Sequence, residues 1–558
     1  MWGWALKIAN WLFLASLVPV YSLNAADGVG TLEPLLPGMP AKPAAPVLST
    51  PSTPQPGTPL LSQQSQLFVT HIQLQGNTVF SAEELATITS KYEHRAISAE
   101  DLRQLRHELS LFYINNGYIN SGAVLPEQNV QNGELRVQII EGQLTEVTIE
   151  GLEHLSEAYL RPRIEKSSKD QPLNLKDLQN DLQLIQQNPL IKRINAVLTP
   201  GLRPGEALLR TNIEEANPWY LLLGGNNYGV PSVGAERFET WAGHRDLLGF
   251  GDELDGHFNV SAGQTQYDFD YGIPFTRWDS RFKLRYQKSE ADVVEKPFDE
   301  INIYNELEAF AVGLSQPVWT TQENQATLGL MLERRHSQSF LFEQPFSFSF
   351  GSIDGASDVS VVRFSQDWLH RTSSQVLAFR SVASWGVDAL GSTIHSEDST
   401  LPDSNFFVWL GQVQWIQLLW DSGVELHWRG DTQISASPLL SLEQFTLGGR
   451  YSVRGYRQNQ VVRDNGFSSS VEFRIPVLAD GMIKLAPFFD MGRSWNSSSL
   501  TAEPPPHNLL STGIGLLFDF NKQVHAEFYW AHQFSKISNS SRDLQDDGIN
   551  FSVTYSPL

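Results

Sequence analysis

Residues 524–530 read VHAEFYW, with Val524, Ala526, Phe528 and Trp530 on one parity and His525 and Glu527 on the other. Successive side chains of a strand point to opposite faces, so this run is extended, with one apolar and one polar face. The same texture fills the chain after about Asn217. Phe282, Leu284 and Tyr286 oppose Arg281, Lys283 and Arg285; Val424, Leu426 and Trp428 oppose Glu425, His427 and Arg429; Phe467, Val471, Phe473 and Ile475 oppose Glu472 and Arg474. Such runs number about 16, an even number in the range of closed transmembrane barrels. In the last of them Ile549, Phe551, Val553 and Tyr555 alternate with polar residues up to Leu558, where such barrels more often end in phenylalanine. A soluble β-sandwich would turn the apolar parity inward; the N-terminus and composition favour lipid outside and a wet, charged lumen.

Charged residues are 18% of the 558, against roughly 25% in soluble domains. Aromatic residues reach 11% while the mean hydropathy stays at −0.25, which suits alternating strands and not membrane helices. The chain has no cysteine, so disulfides, thiol chemistry and thiolate metal sites are excluded. A net charge of −22 argues against a nucleic-acid partner. Lys7 precedes an apolar run over 8–18, followed by Pro19 and the small residues Ser22, Ala25 and Ala26. The run is shorter than the ~20 residues of a spanning helix, so 1–26 reads as a secretory signal peptide. Residues 27–66 are proline-rich and read as an extended tether.

Between tether and barrel lie two similar units, expected over 67–143 and 144–216. In the first, Phe68, Thr70, Ile72 and Leu74 alternate toward Gly76. Ser81 and Ser98 cap two helices, the second with Leu102, Leu105, Leu109 and Phe112 on one face. A strand near Ala123, a hairpin turn at Asn132-Gly133 and a strand through Leu135, Val137 and Ile139 complete a β-α-α-β-β order. That order recurs from Val147 and Gly151, through helices near 155–164 and after Asn174, to strands near 191–198 and 207–213. The two turn glycines are 151 − 76 = 75 residues apart, the period of a tandem repeat.

Residues 445–460 read FTLGGRYSVRGYRQNQ and carry Arg450, Arg454 and Arg457 with no carboxylate after Glu443. Downstream, Ile483, Leu485, Pro487 and Phe489 share one parity and Lys484 and Asp490 the other, which points Asp490 into the lumen. Arg454 is the arginine expected to meet it, and swapping the two charges should partly rescue either single reversal. Arg450 and Arg457 have no assigned partner.

Several stretches carry a resemblance. Two β-α-α-β-β modules before a barrel resemble POTRA domains. Asn116-Gly117-Tyr118-Ile119 with Ala123, Pro126 and Gln128, and Ile140-Glu141-Gly142, resemble motifs of the first such domain in TpsB transporters of two-partner secretion. This is the ShlB/FhaC/HecB-type family of haemolysin and filamentous-haemagglutinin secretion proteins, in the superfamily that includes BamA. Asn227-Tyr228-Gly229 and 249–254 resemble its first barrel hairpins. Val453-Arg454-Gly455-Tyr456 coincides with its VRGY loop motif and Phe489-Asp490-Met491-Gly492 with its barrel-wall FDxG motif. The resemblance implies α+β POTRA modules followed by an all-β transmembrane barrel over 217–558, with a loop over about 437–465 folded inward.

It also implies function. The POTRA pair would capture an unfolded, β-helical TpsA-like exoprotein in the periplasm, and the outer-membrane barrel would secrete it without ATP. Expected partners are that exoprotein, outer-membrane lipid and the barrel-assembly machinery, with a monomeric barrel and no metal or cofactor. The N-terminal plug helix of some relatives has no clear counterpart in DGVGTLEPLL (27–36). A BamA-like insertase would share fold and motifs but usually carries more POTRA modules, and a passive porin would need no capture domain. No HExxH or G-x-S-x-G motif points to an enzyme.

Overall fold

The computed structural model describes residues 48–49 and 66–558, except 127, 129, 131, 399, 479–480, 499–502, 522, 538, 540 and 558. The signal peptide, nearly all of the tether and Leu558 therefore lie outside the described residues.

In the first module Ser81 and Ser98 cap the helices Ala82–Thr89 and Ala99–Asn115, each in a reciprocal capping box closed by Glu84 or Asp101. The longer helix buries Leu102, Leu105, Leu109 and Tyr113, with Phe112 half-buried beside them. These side chains cover a sheet ordered His71–Gln75, Glu134–Ile140, Gly122–Val124. Two expectations change. The alternating run from Phe68 to Leu74 is not one strand. Leu67–Val69 pairs with Arg95–Ile97, whereas His71–Gln75 runs parallel to Glu134–Ile140. The break falls where the Thr70 and His71 amides both donate to the Gly133 carbonyl, at 2.8 and 3.3 Å. Asn132-Gly133 does turn the chain, with φ of 60° and 75°, but at the end of the longer connection 125–133.

The second module repeats the plan. Ser156 and Asn174 cap Glu157–Ile164 and Leu175–Gln186, the first helix starting two residues later than the sequence suggests. Their apolar faces cover the strands Ile191–Pro200, Glu206–Glu215 and Gln143–Glu150, and Leu48–Ser49 adds in parallel along the Ile191–Pro200 edge.

The 75-residue period has a structural cause. Gly76 and Gly151 have φ of 87° and 85°, and a Cβ there would lie 2.5 Å from the Ile139 carbonyl oxygen and 2.3 Å from that of Ile213. Two residues beyond each isoleucine a carboxylate caps the loop that the glycine opens. Glu141 accepts from the Thr78 and Val79 amides at 2.7 and 2.9 Å; Glu215 accepts from Glu153, His154 and Leu155 at 2.9–3.1 Å. Alanine at either glycine combines left-handed strain of about 1–2 kcal/mol with overlap against backbone that cannot rotate away. Gly76→Ala or Gly151→Ala is expected to destabilise its module by at least about 2 kcal/mol. Among the described residues every α-helix lies in the modules, so thermal loss of helical circular dichroism in the full chain reads this directly.

The modules are joined by backbone. Leu173 and Leu175 donate to the carbonyls of Gly142 and Gly117 at 2.7 and 2.9 Å, and the Asn120 amide side chain donates to Gly205 at 2.8 Å. Gly117 and Gly142 of the resemblance motifs thus sit at the joint between the modules.

From Trp219 onward antiparallel strands close on themselves. Of the seventeen strand segments in the ring, Gln344–Pro345 only folds back on the end of Asn324–Leu341, so sixteen build the wall. The ring shuts between Trp219–Asn226 and Ile549–Tyr555 through four residue pairs, Leu223↔Tyr555 to Asn226↔Ser552. Strand lengths run from 7 residues in Ile549–Tyr555 to 18 in Ile303–Thr320 and Asn324–Leu341. The parity reading fixes the faces. Phe282, Leu314, Leu330, Phe489, Phe528 and Trp530 are exposed on the outside, while Arg335, Arg363, Glu472 and Asp490 are buried inside. A sixteen-strand cylinder with an apolar exterior is a transmembrane barrel.

Candidate functional site

The connection 436–464 follows the eleventh wall strand, Glu425–Ser435, and precedes the twelfth, Asn465–Pro476. An exposed crossover of this length with three arginines would be solvated. Instead Phe445, Leu447, Val453 and Tyr456 are each no more than 2% exposed and pack with Leu509 of the wall. The loop is folded into the barrel, and Phe445–Leu447 and Val461–Arg463 pair as its antiparallel stem.

Arg454 is 1% exposed and meets Asp490, which is fully buried. Its Nε donates to Oδ2 and its Nη2 to Oδ1, both at 2.8 Å, and its amide also donates to Oδ2 at 3.0 Å. Nη2 donates further to the Ser470 hydroxyl at 2.9 Å, and Nη1 to Glu472. The guanidinium lies 3.5 Å from the centroid of the Phe488 ring. A planar bidentate ion pair stacked on an aromatic face is a geometry that arginine satisfies and lysine does not. Two carboxylates, a hydroxyl and a ring offset the cost of burying this charge.

The neighbouring motif residues have distinct places. Gly455, at φ 93°, passes so close to the wall that a Cβ would sit 2.9 Å from the Ala531 Cβ. Tyr456 donates its hydroxyl to the Leu510 carbonyl at 3.0 Å. Gly492 leaves the space that Leu447 fills, since a Cβ there would lie 2.4 Å from Leu447 Cδ1. Phe489 takes no part inside: it is exposed on the lipid face.

Arg450 and Arg457, left unpartnered by the sequence, both have carboxylates. Arg450 forms a two-point pair with Glu527 at 3.1 and 2.9 Å and stacks over the Tyr529 ring at 4.2 Å. Arg457 grips Asp546 at 2.8 and 2.7 Å and Glu295 at 2.7 Å. Glu472 and Glu527 lie on the inward parity of their strands, so the alternation already marked them as lumen carboxylates. Asp546 and Glu295 lie in irregular connections, where no periodicity points to them. Among the described residues no group of three or more His, Asp or Glu is arranged to hold a metal.

A loop anchored inside a barrel that follows two α/β modules is a specific combination, and comparison with known proteins agrees with it. Residues 205–518, more than half of the chain, match the family described as haemolysin secretion/activation protein ShlB/FhaC/HecB. The chain belongs to this family. Residues 67–142 match the POTRA domain of ShlB type. The outer membrane transporter CdiB of Dickeya dadantii is 24% identical over 71% of this chain and 70% of its own length. The hemolysin transporter protein ShlB of Serratia marcescens is 24% identical over 74% and 73%. The solved structure of CdiB from Escherichia coli superposes with a TM-score of 0.67 over 91% of this chain and 94% of that one, at 19% identity, which bears on the fold. The protein is thus an outer-membrane β-barrel of two-partner secretion with POTRA modules, from a family of transporters that secrete partner proteins.

Proposed function

We propose that this barrel exports one partner exoprotein, captured unfolded in the periplasm by the POTRA modules and threaded through the lumen without ATP. The loop carrying Arg454 is the occluding element of the resting barrel. The observation that carries this reading is the loop itself: three arginines held by wall and loop carboxylates place a folded segment in the path a chain would take. Capture by strand addition is supported by the second module's sheet, whose Ile191–Pro200 edge accepts Leu48–Ser49 as an extra strand. Backbone hydrogen bonds at such an edge recognise an extended chain with little regard to its sequence. Client folding outside the cell supplies the drive. The partner would be TpsA-like and β-helical, and the barrel works as a monomer placed by the assembly machinery.

A BamA-like insertase is the second reading, and the four-pair seam favours it, because a short seam is the place where a barrel could open sideways. Deleting the gene separates the two. Loss of one large secreted protein with normal outer-membrane barrels supports export; unchanged exoproteins with depleted barrels would favour insertion.

A further inference from the structure

The far end of the loop is held by charges of the opposite sign. At its root Leu440 and Leu442 pack among Leu307, Val359 and Phe406 of the wall side. Glu443, 1% exposed, accepts from Arg335 Nη1 at 2.9 Å and from Arg363 Nη1 and Nη2 at 3.1 and 2.8 Å. Arg335 Nη1 also donates to the Leu442 carbonyl at 2.7 Å. These arginines stand on the seventh and eighth wall strands, Asn324–Leu341 and Ala356–Arg371. Arg450 reaches the fifteenth, Val524–Gln533, eight strands from the seventh in a ring of sixteen. The loop therefore spans the lumen as a bar with an anionic root against a basic wall and a cationic tip against an acidic one.

We infer that Glu443 is a positioning residue, a second latch that holds the loop across the lumen independently of Arg454. The two attachments share no residue. The basic wall depends on Glu443 for neutrality. Glu333 is the other carboxylate there, 2.8 Å from Arg363 but 4.0 Å from Arg335, so among the described residues Glu443 supplies the one carboxylate within hydrogen-bond distance of Arg335. Removing one member of a buried charge cluster leaves its partners uncompensated in a low dielectric, and the root then loses its preference for this wall.

The test is ionic current through the full-length protein in planar lipid bilayers, with no exported protein present, so its outcome is independent of the export reading. Glu443→Gln is expected to raise current per inserted barrel at least about tenfold, equivalent to about 1.4 kcal/mol in the closed-to-open balance. Adding Arg335→Gln leaves Glu333 and Arg363 as a matched pair and brings the current back toward the wild-type level. A merely structural role would reduce the number of inserted barrels without changing the current each one carries. Wild-type current in Glu443→Gln, or a raised current that Arg335→Gln does not lower, overturns the inference. Should Glu443→Gln fail to insert, Glu443→Asp decides: its shorter carboxylate keeps the charge but cannot reach both arginines, so raised current supports the latch and wild-type current overturns it.

Discussion

Asp490→Asn is expected to free the tip of the loop, 448–460, from the barrel wall while the sixteen strands stay closed. Removing one partner of a buried, hydrogen-bonded pair costs about 3–5 kcal/mol, because the remaining charge is left without compensation. Glu472 still faces Arg454, which puts the local effect near about 3 kcal/mol. Hydrogen–deuterium exchange reads this by segment: protection should collapse over 448–460 and persist in the strands Asn465–Pro476 and Ile483–Trp495. Arg454→Lys should behave almost as badly, since an ammonium cannot bind both Asp490 oxygens while lying flat on Phe488. Unchanged protection of the tip in either variant would remove Asp490 from the account of what holds the loop.

The structure also revises the exchange of charges. With Arg454→Asp and Asp490→Arg together, the new aspartate would face Glu472, and the pair alone should rescue little. Adding Glu472→Gln removes that repulsion, so protection should return in the triple variant and not in the double. The stacking on Phe488, 3.5 Å from the present guanidinium, is lost in every exchange, so rescue stays partial.

The fold was legible because its two periods are long and clean. Parity alone puts Phe528 and Trp530 outside and Glu472 and Asp490 inside, and the capping serines Ser81 and Ser98 place their helices. The run from Phe68 to Leu74 misled for a physical reason: alternation reports which face a residue takes but not which sheet it joins, and the switch at Thr70 depends on a carbonyl more than sixty residues away. The same limit explains the site. Arg454 and Asp490 could be matched because one lies in a recognisable motif and the other in a regular strand. Arg457 could not, because Asp546 and Glu295 reach it from irregular loops, and their approach is set only when the barrel closes. Glu443 is legible in the sequence only as the last carboxylate before the arginines, because its partners come from strands some eighty and more residues upstream.

Glu141 offers a test of the periplasmic half, with a pH dependence whose sign is fixed. Its carboxylate accepts from the Thr78 amide and hydroxyl, from the Val79 amide at 2.9 Å and from the Tyr113 hydroxyl at 2.8 Å. Burial pushes its pKa up, but the bonds from Thr78, Val79 and Tyr113 outweigh that and hold it below the usual glutamate value. A carboxylate whose folded pKa is depressed contributes stability that is fully present above its unfolded value, about 4.3, and is lost as pH falls through the folded one. Glu141→Gln keeps the shape and removes the charge, so the helical melting signal should drop at neutral pH by the equivalent of about 1.5–3 kcal/mol. The gap between wild type and variant should then narrow below about pH 4.3, because acid removes the same charge from the wild type. Asp101, held down to about 2 chiefly by the Ser98 hydroxyl, titrates lower still, and Asp181, pushed up by burial, acts with the opposite sign. Both are common to the two proteins and cancel in the difference. A gap that stays constant or widens as pH falls would mean that the Glu141 charge is not what fastens this loop to the module.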